Sequence, residues 1–202
     1  MKTKDHFAHK SKSWDMSSRR VKNAKSIAES IIRNITLDRD MELMDFGAGT
    51  GLLSYFISPH VARITAVDSS PSMLEQFAEK RSEFACETES ILIDLEQHTL
   101  ERKFDGIISS MTIHHIKDVG ALFSKFYEML KPGAFFAIAD LDSEDGTFHS
   151  DDTGVFHHGF ERKFLESEAG RAGFAHVNFE TVSTIEKPNR DFTVFLMTAF
   201  RQ

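Results

Sequence analysis

Residues 44 to 51 read MDFGAGTG: an apolar run closes on an acid, and Gly47, Gly49 and Gly51 then alternate with small residues. Glycine loses more backbone freedom on folding than any other residue. Three within five positions therefore mark a loop that must turn tightly or let something approach the backbone. MELMDF (41–46) before the loop predicts a short strand, and GLLSYFISPHV (51–61) after it predicts a helix ended by Pro59. Strand, glycine loop and helix in that order open a βαβ unit, in which ligands bind beyond the strand's carboxyl end.

The rest of the chain continues the alternation. RRVKNAKSIAESIIRNI (19–35) carries Val21, Ala24, Ile27, Ala28, Ile31 and Ile35 at helical spacing. RITAVD (63–68) predicts a second strand, and SPSMLEQFAEKRSE (70–83) a helix with a serine cap and an early proline. SILIDL (90–95) and FDGIISSM (104–111) predict strands three and four. VGALFSKFYEMLKPGA (119–134) predicts a helix stopped at Pro132-Gly133, and FFAIADLD (135–142) a fifth strand. Near-continuous apolar strands joined by helices imply a parallel sheet covered on both faces.

After 142 the pattern changes. Residues 143–160 are polar, glycine-containing and histidine-rich, which predicts a long loop. ERKFLESEAGRAGF predicts a helix, and HVNFETVSTIEK and FTVFLMTAF, around Pro188-Asn189, an antiparallel pair. The fold class expected is therefore α/β: a seven-stranded Rossmann-like, doubly wound sheet, mostly parallel, with an antiparallel C-terminal pair. At 202 residues the chain is long enough for one full domain. Residues 1–36 are expected as a helical cap or lid and 37–202 as the core, with 143–162 a loop within it.

Composition narrows the function. A net charge of −7 disfavours nucleic acid as a partner, although basic residues gather between positions 2 and 25. No apolar run approaches the ~20 residues of a membrane span, so no membrane partner is expected. The N-terminus has no apolar segment behind its charges and is not read as a secretory signal. A lone cysteine, Cys86, excludes an internal disulfide and fits a cytoplasmic location.

The glycine spacing discriminates between ligands. The dinucleotide fingerprint wants glycine where Leu52 stands, and the G-K-[ST] of ATP-binding phosphate loops is absent. Asp45, just before the glycines, is awkward beside a pyrophosphate and suits a ligand with positive charge.

These residues resemble the class I S-adenosylmethionine-dependent methyltransferases, over roughly 41 to 142. Asp45 to Gly51 looks like the family's first motif, E/D-x-G-x-G-x-G. Asp68, ending AVD, resembles the acid that binds the ribose. Asp94, followed by Leu95, sits where the family contacts the adenine. IISSMTIHHI resembles the strand-four segment under the methionine part, and MLKPGAFF resembles the L-K-P-G-G entry to strand five, with Ala134 for the second glycine. The resemblance implies S-adenosylmethionine as cofactor and in-line methyl transfer to a small-molecule acceptor. It implies cofactor contacts from Asp45, Gly47, Ala48, Gly49 and Gly51 in the first loop. Asp68, Ser69 and Met73 would follow from the second strand, Asp94 and Leu95 from the third, and Ser110 from the fourth.

Trp14, in KSKSWD, is a candidate cover for the cofactor, and Lys12, Arg19 and Arg20 are candidates for its carboxylate. His114 and His115 follow strand four, where the reacting methyl should point, and are candidate bases. Asp140 and Asp142 end strand five towards the same cleft, and His157, His158 and Phe160 are expected at the acceptor side. Their spacing matches no strong metal-ligand motif, so no metal is expected. The alternatives are a tRNA-modifying methyltransferase, a user of a decarboxylated cofactor, and a non-catalytic cofactor- or partner-binding protein on the same fold.

Overall fold

The computed structural model describes residues 5, 7, 8, 10–149 and 154–202. Strands β1 (Glu42–Phe46), β2 (Arg63–Asp68), β3 (Glu87–Leu92), β4 (Phe104–Ser110), β5 (Leu130–Leu141), β6 (Phe174–Glu186) and β7 (Asp191–Arg201) form one sheet. Its order is β3-β2-β1-β4-β5-β7-β6. The first five strands pair in parallel, and β7 runs antiparallel between β5 and β6. This is the expected seven-stranded Rossmann-like architecture.

Helices α1 (Ser18–Asn34), α2 (Leu52–Ile57), α3 (Pro71–Glu79), α4 (Val119–Met129) and α5 (Arg162–Ala172) cover the two faces. Side chains alternate across a strand, and here both sets are apolar. Leu43, Ile108 and Phe135 face a core that includes Ile27 and Ile31 of α1 and Leu53 and Ile57 of α2. Their neighbours Met44, Ile107 and Phe136 face a core with Phe123 and Phe126 of α4 and Leu165 of α5. Ser17 caps α1, accepting from the Arg20 N–H at 3.4 Å, and Ser70 caps α3, accepting from the Met73 N–H at 3.3 Å.

Two of the boundaries that differ from expectation follow from strand pairing. β3 spans 87–92 rather than 90–95, because its register follows β2 residue by residue from Arg63↔Glu87 to Asp68↔Leu92. Both strands stop together, so Asp94 lies on the turn beyond the sheet rather than in it. Helix α4 ends at Met129 rather than 134. Leu130 already pairs with Phe104, and the register shifts before Gly106↔Phe135. The Lys131–Gly133 stretch thus belongs to an irregular entry to β5 and not to the helix.

The sheet order reverses between β1 and β4. The two strands stay paired to their carboxyl ends, but the helices that follow them, α2 and α4, pack on opposite faces, and the space between the two departing connections is the usual ligand position in such sheets.

Candidate functional site

A cavity of about 720 Å³ opens at that crevice, within the roughly 300–1,000 Å³ of small-ligand sites. The three glycines of the first loop divide the labour. All have left-handed backbone, with φ of +66° at Gly47, +56° at Gly49 and +86° at Gly51. A Cβ on Gly47 would lie 2.2 Å from the Thr112 side chain, so β1 and β4 can close up only with glycine there. Gly47 and Gly49 line the cavity. Gly51 does not: it caps α2, and a Cβ there would sit 2.6 Å from the Phe77 ring. Its expected place at the cofactor is replaced by a packing role one layer behind.

Four of the loop's N–H donors are already used. Gly47 and Ala48 donate to the Val67 carbonyl at 2.8 and 3.2 Å, Gly49 donates to Asp68 Oδ2 at 2.8 Å, and Gly51 donates to the Ala48 carbonyl at 2.9 Å. A phosphate cradle needs free N–H groups. This loop instead ties itself to β2 and presents backbone edges and carboxylates.

Asp45, buried at the end of β1, accepts from Ser54 Oγ at 2.6 Å. Burial pushes its carboxyl up to about 7, and the Asp68 charge adds to this against the Ser54 hydrogen bond. Burial also raises Asp68, against opposing hydrogen bonds from the Ser70, Gly49 and Ser69 N–H groups. Among the described residues these two carboxylates are met by hydroxyl and N–H donors and by no cation, which favours a positively charged occupant.

The structure brings the other sequence candidates to the same cavity. Ala48, Ser69 and Met73 line the cavity with Asp68; Asp94, Leu95 and Ser110 line it from the far strand ends. Asp94 holds its turn by accepting from the Glu96 N–H at 2.9 Å and from Gln97 at 2.8 Å. Trp14 lines the opening, with the Arg20 guanidinium 3.8 Å over its ring and Phe7 edge-on at 5.9 Å. Lys12 is exposed and does not reach the cavity. The N-terminal segment is pinned across the opening at two points. Asp5 accepts from Ser70 Oγ at 2.8 Å and the Ser72 N–H at 3.1 Å, and Asp15 accepts from Thr50 Oγ1 at 2.5 Å and pairs with Lys80.

His114 and His115 both line the cavity beyond β4. His114 is buried, and its Nδ1 lies 2.7 Å from Asp140 Oδ1. The His115 Nδ1 lies 2.7 Å from the Gly154 carbonyl. Asp140 is fully buried behind His114 and not in the cavity wall, so the expectation that it faces the cleft is corrected. Burial alone would raise its carboxyl, but the His114 ring charge and hydrogen bond, with the Leu141 and His114 N–H groups, hold it below the ordinary carboxylate range. Asp142 does not face the cleft either: Arg162 holds both its oxygens, at 2.7 and 2.8 Å.

The acceptor-side histidines are also corrected. His157 and His158 do not line the cavity, and Phe160 is core. Phe148, His149 and Val155 of the same loop take their place. The His149 ring lies 4.9 Å from His114 and 6.0 Å from His115. Burial, then the His114, His115 and Lys187 charges, push it down to about 4, so it is a neutral imidazole at neutral pH. Among the described residues no group of three His, Cys, Asp or Glu side chains could hold a metal ion. Phe7, His149 and Lys187 carry no sequence motif, and only folding brings them to the site.

The sheet order, the glycine loop and the acids at successive strand ends define a Rossmann-like methyltransferase of the class I type. A family model described as a methyltransferase domain matches residues 19–192, and the chain belongs to that family. An uncharacterized methyltransferase of Schizosaccharomyces pombe is 33% identical over 144 residues, covering 63% of this chain and 51% of that protein. A malonyl-[acyl-carrier protein] O-methyltransferase of Acetivibrio thermocellus is 31% identical over 142 residues, covering 66% and 47%. The chain thus spans about half the length of these relatives. Among solved structures, a putative methyltransferase of Haloferax volcanii in complex with the Trm112 methyltransferase activator superposes with a TM-score of 0.77 at 15% identity, covering 98% of both chains. Phosphoethanolamine N-methyltransferase 2 of Haemonchus contortus, in complex with S-adenosyl-L-methionine, gives 0.71 at 16% identity, covering 98% of this chain and 59% of that one. No helix among the described residues is long and apolar enough to cross a membrane.

Proposed function

We propose that this chain is an S-adenosylmethionine-dependent methyltransferase acting on a small-molecule acceptor. One observation carries the reading: Asp45 and Asp68, at adjacent strand ends of one cavity, have no ion pair with a described residue and stand beside a glycine loop in which four N–H groups are spent. That site suits a cofactor with a sulfonium and an ammonium, and not a pyrophosphate. The single cysteine fits a reducing compartment such as the cytoplasm.

Bound S-adenosylmethionine supplies an electrophilic methyl carbon on its sulfonium. The chain's own residues do the remainder. Gly47 and Gly49 admit the methionine end, and Asp45 compensates its positive charge. Asp68, whose two oxygens each already accept a backbone N–H, keeps lone pairs for the ribose hydroxyls. Asp94, Leu95, Ala48, Ser69 and Met73 enclose the adenine, and Ser110 lies under the methionine part. Trp14 covers the opening and excludes water. His115, with His114, takes the proton of a protonated nucleophile, and Asp140 orients His114 from behind, fixing which ring nitrogen faces the cavity. Most of the rate then comes from holding donor and nucleophile in line.

Calorimetric titration with S-adenosylmethionine, S-adenosylhomocysteine and NAD tests the reading. Micromolar binding of the first two with none of NAD is expected. Absence of binding by either would overturn it in favour of a non-catalytic chain on the same fold.

A further inference from the structure

Charge is divided along the cavity. Its acids are Asp45 and Asp68 at the ends of β1 and β2, Asp94 and Glu96 on the turn beyond β3, and Asp5 of the N-terminal segment, which is tied to α3. At the opposite end, Arg19 in the first turn of α1 and Lys187 just past β6 line the wall with His149 and Phe148. Asn23 fixes their closeness. It lies one turn after Arg19 on α1 and accepts from Ser183 Oγ, four residues before Lys187. That bond sets α1 against β6 and brings two cations side by side.

Neither cation is neutralised by a described residue. Arg19 has no hydrogen bond or ion pair with a described residue, and Lys187 has no ion pair with one. The Lys187 ammonium is nevertheless held in place. It donates to the Phe148 carbonyl and lies 4.1 Å from the Phe148 ring centre and 5.5 Å from that of Phe192. Burial first, then the Arg19 charge, hold it below the ordinary lysine range, with Glu144 opposing weakly. His149, between these cations and the His114–His115 pair, has its Nε2 buried with no hydrogen-bond partner. A fixed ammonium, a guanidinium and an imidazole nitrogen without partners among the described residues thus line one end of the cavity.

We propose that Arg19, Lys187 and His149 form an oxyanion subsite, so that the methyl acceptor carries a carboxylate or phosphate at the end away from the methylated atom. The proposal rests on the methyltransferase reading and adds the acceptor's chemical class to it. It also divides the cations. Arg20, stacked on Trp14 at the cofactor side, is left for the cofactor's carboxylate, while Arg19 and Lys187 serve the acceptor.

Trp14 is the only tryptophan and lines the cavity, so its fluorescence reports occupancy. The protein saturated with S-adenosylhomocysteine is titrated with inorganic phosphate and with malonate, against chloride at matched ionic strength. Millimolar, saturable binding of one of the two is expected, and the tighter one names the oxyanion. Lys187→Met and Arg19→Met should each weaken it about tenfold or more, Lys187→Arg should restore most of the loss, and all three should keep S-adenosylhomocysteine affinity within about twofold. The proposal falls if neither anion saturates, if chloride matches them, or if Lys187→Met binds the anion like the parent. It also falls if cofactor affinity drops in step with anion affinity, since the cations would then serve the cofactor. The same titrations on the free protein keep the two readings apart. Failure to bind S-adenosylhomocysteine counts against methyl transfer, while a Lys187-dependent anion isotherm still supports the subsite.

Discussion

Asp68 is the residue on which most of the proposed donor site hangs. It joins the glycine loop to the start of α3 through Gly49 and the Ser70 N–H, which donates to its Oδ1 at 2.8 Å. Removing the carboxylate costs the ribose contacts and leaves two N–H groups to water. Asp68→Ala should lower S-adenosylmethionine affinity at least about 100-fold, two lost charge-assisted bonds at 1.5–3 kcal/mol each. The far-ultraviolet circular dichroism should stay that of the parent, because the sheet does not depend on it. A variant that binds like the parent would remove the ribose assignment. His115 belongs on the other side of the chemistry. Its ring is oriented by the Gly154 carbonyl and packed edge-on by Phe7 at 5.7 Å. With an acceptor in hand, His115→Ala should cut kcat by about 10²-fold or more while cofactor affinity moves little. Unchanged turnover would return both histidines to packing.

At the scale of elements, the described residues of the N-terminal segment are tied to the core by two acidic side chains. Asp5 ties it to α3 through Ser70 and Ser72, and Asp15 ties it to Thr50 and Lys80. Asp5→Ala removes one clamp without touching the cavity floor. The cofactor's dissociation rate, followed by Trp14 fluorescence, should rise several-fold with the association rate unchanged, which is the signature of a cover. Equal rates would make the segment a static wall. The elements themselves were legible wherever apolar runs buried both faces of a strand, as in RITAVD, which is β2 to the residue. They were not legible where pairing overrode local signals. The Pro132-Gly133 pair looks like a helix stop, yet Leu130 is already claimed by Phe104 of β4. Asp45 and Asp68 could be placed from the sequence because each closes an apolar strand run, and His114 and His115 because they follow one. His149 and Lys187 were not: one sits in a 20-residue loop, the other after a hairpin strand, and only the α1–β6 register brings them together. Gly51 shows the reverse failure, since its place in the motif pointed to a ligand and its backbone serves Phe77 and Phe84.

For the whole molecule, the unneutralised acids imply that stability and cofactor binding are coupled through protons. The Asp45 carboxyl titrates at about 7 in the fold against an ordinary 3.8. Between those values the folded chain holds a proton that the unfolded chain has released, so stability falls as pH rises through that window and levels off above about 7. Asp140 has the opposite sign, because its depressed carboxyl stabilises at higher pH and that contribution is lost only as pH falls below the ordinary carboxylate range. The two windows separate, and measurements from pH 5.5 to 8 read Asp45. Over that range its share is roughly 2 kcal/mol, taking 1.36 kcal/mol per pH unit. Urea unfolding of the parent minus that of Asp45→Asn, which keeps an oxygen for Ser54, should show this decline. S-adenosylmethionine favours the ionised form, so its binding near pH 7 should release a fraction of a proton, seen as a buffer-dependent calorimetric enthalpy that Asp45→Asn abolishes. If the parent and Asp45→Asn unfold in parallel across this range and bind with the same buffer dependence, the acid before the glycines is ionised throughout, and the electrostatic case for a cationic ligand rests on Asp68 alone.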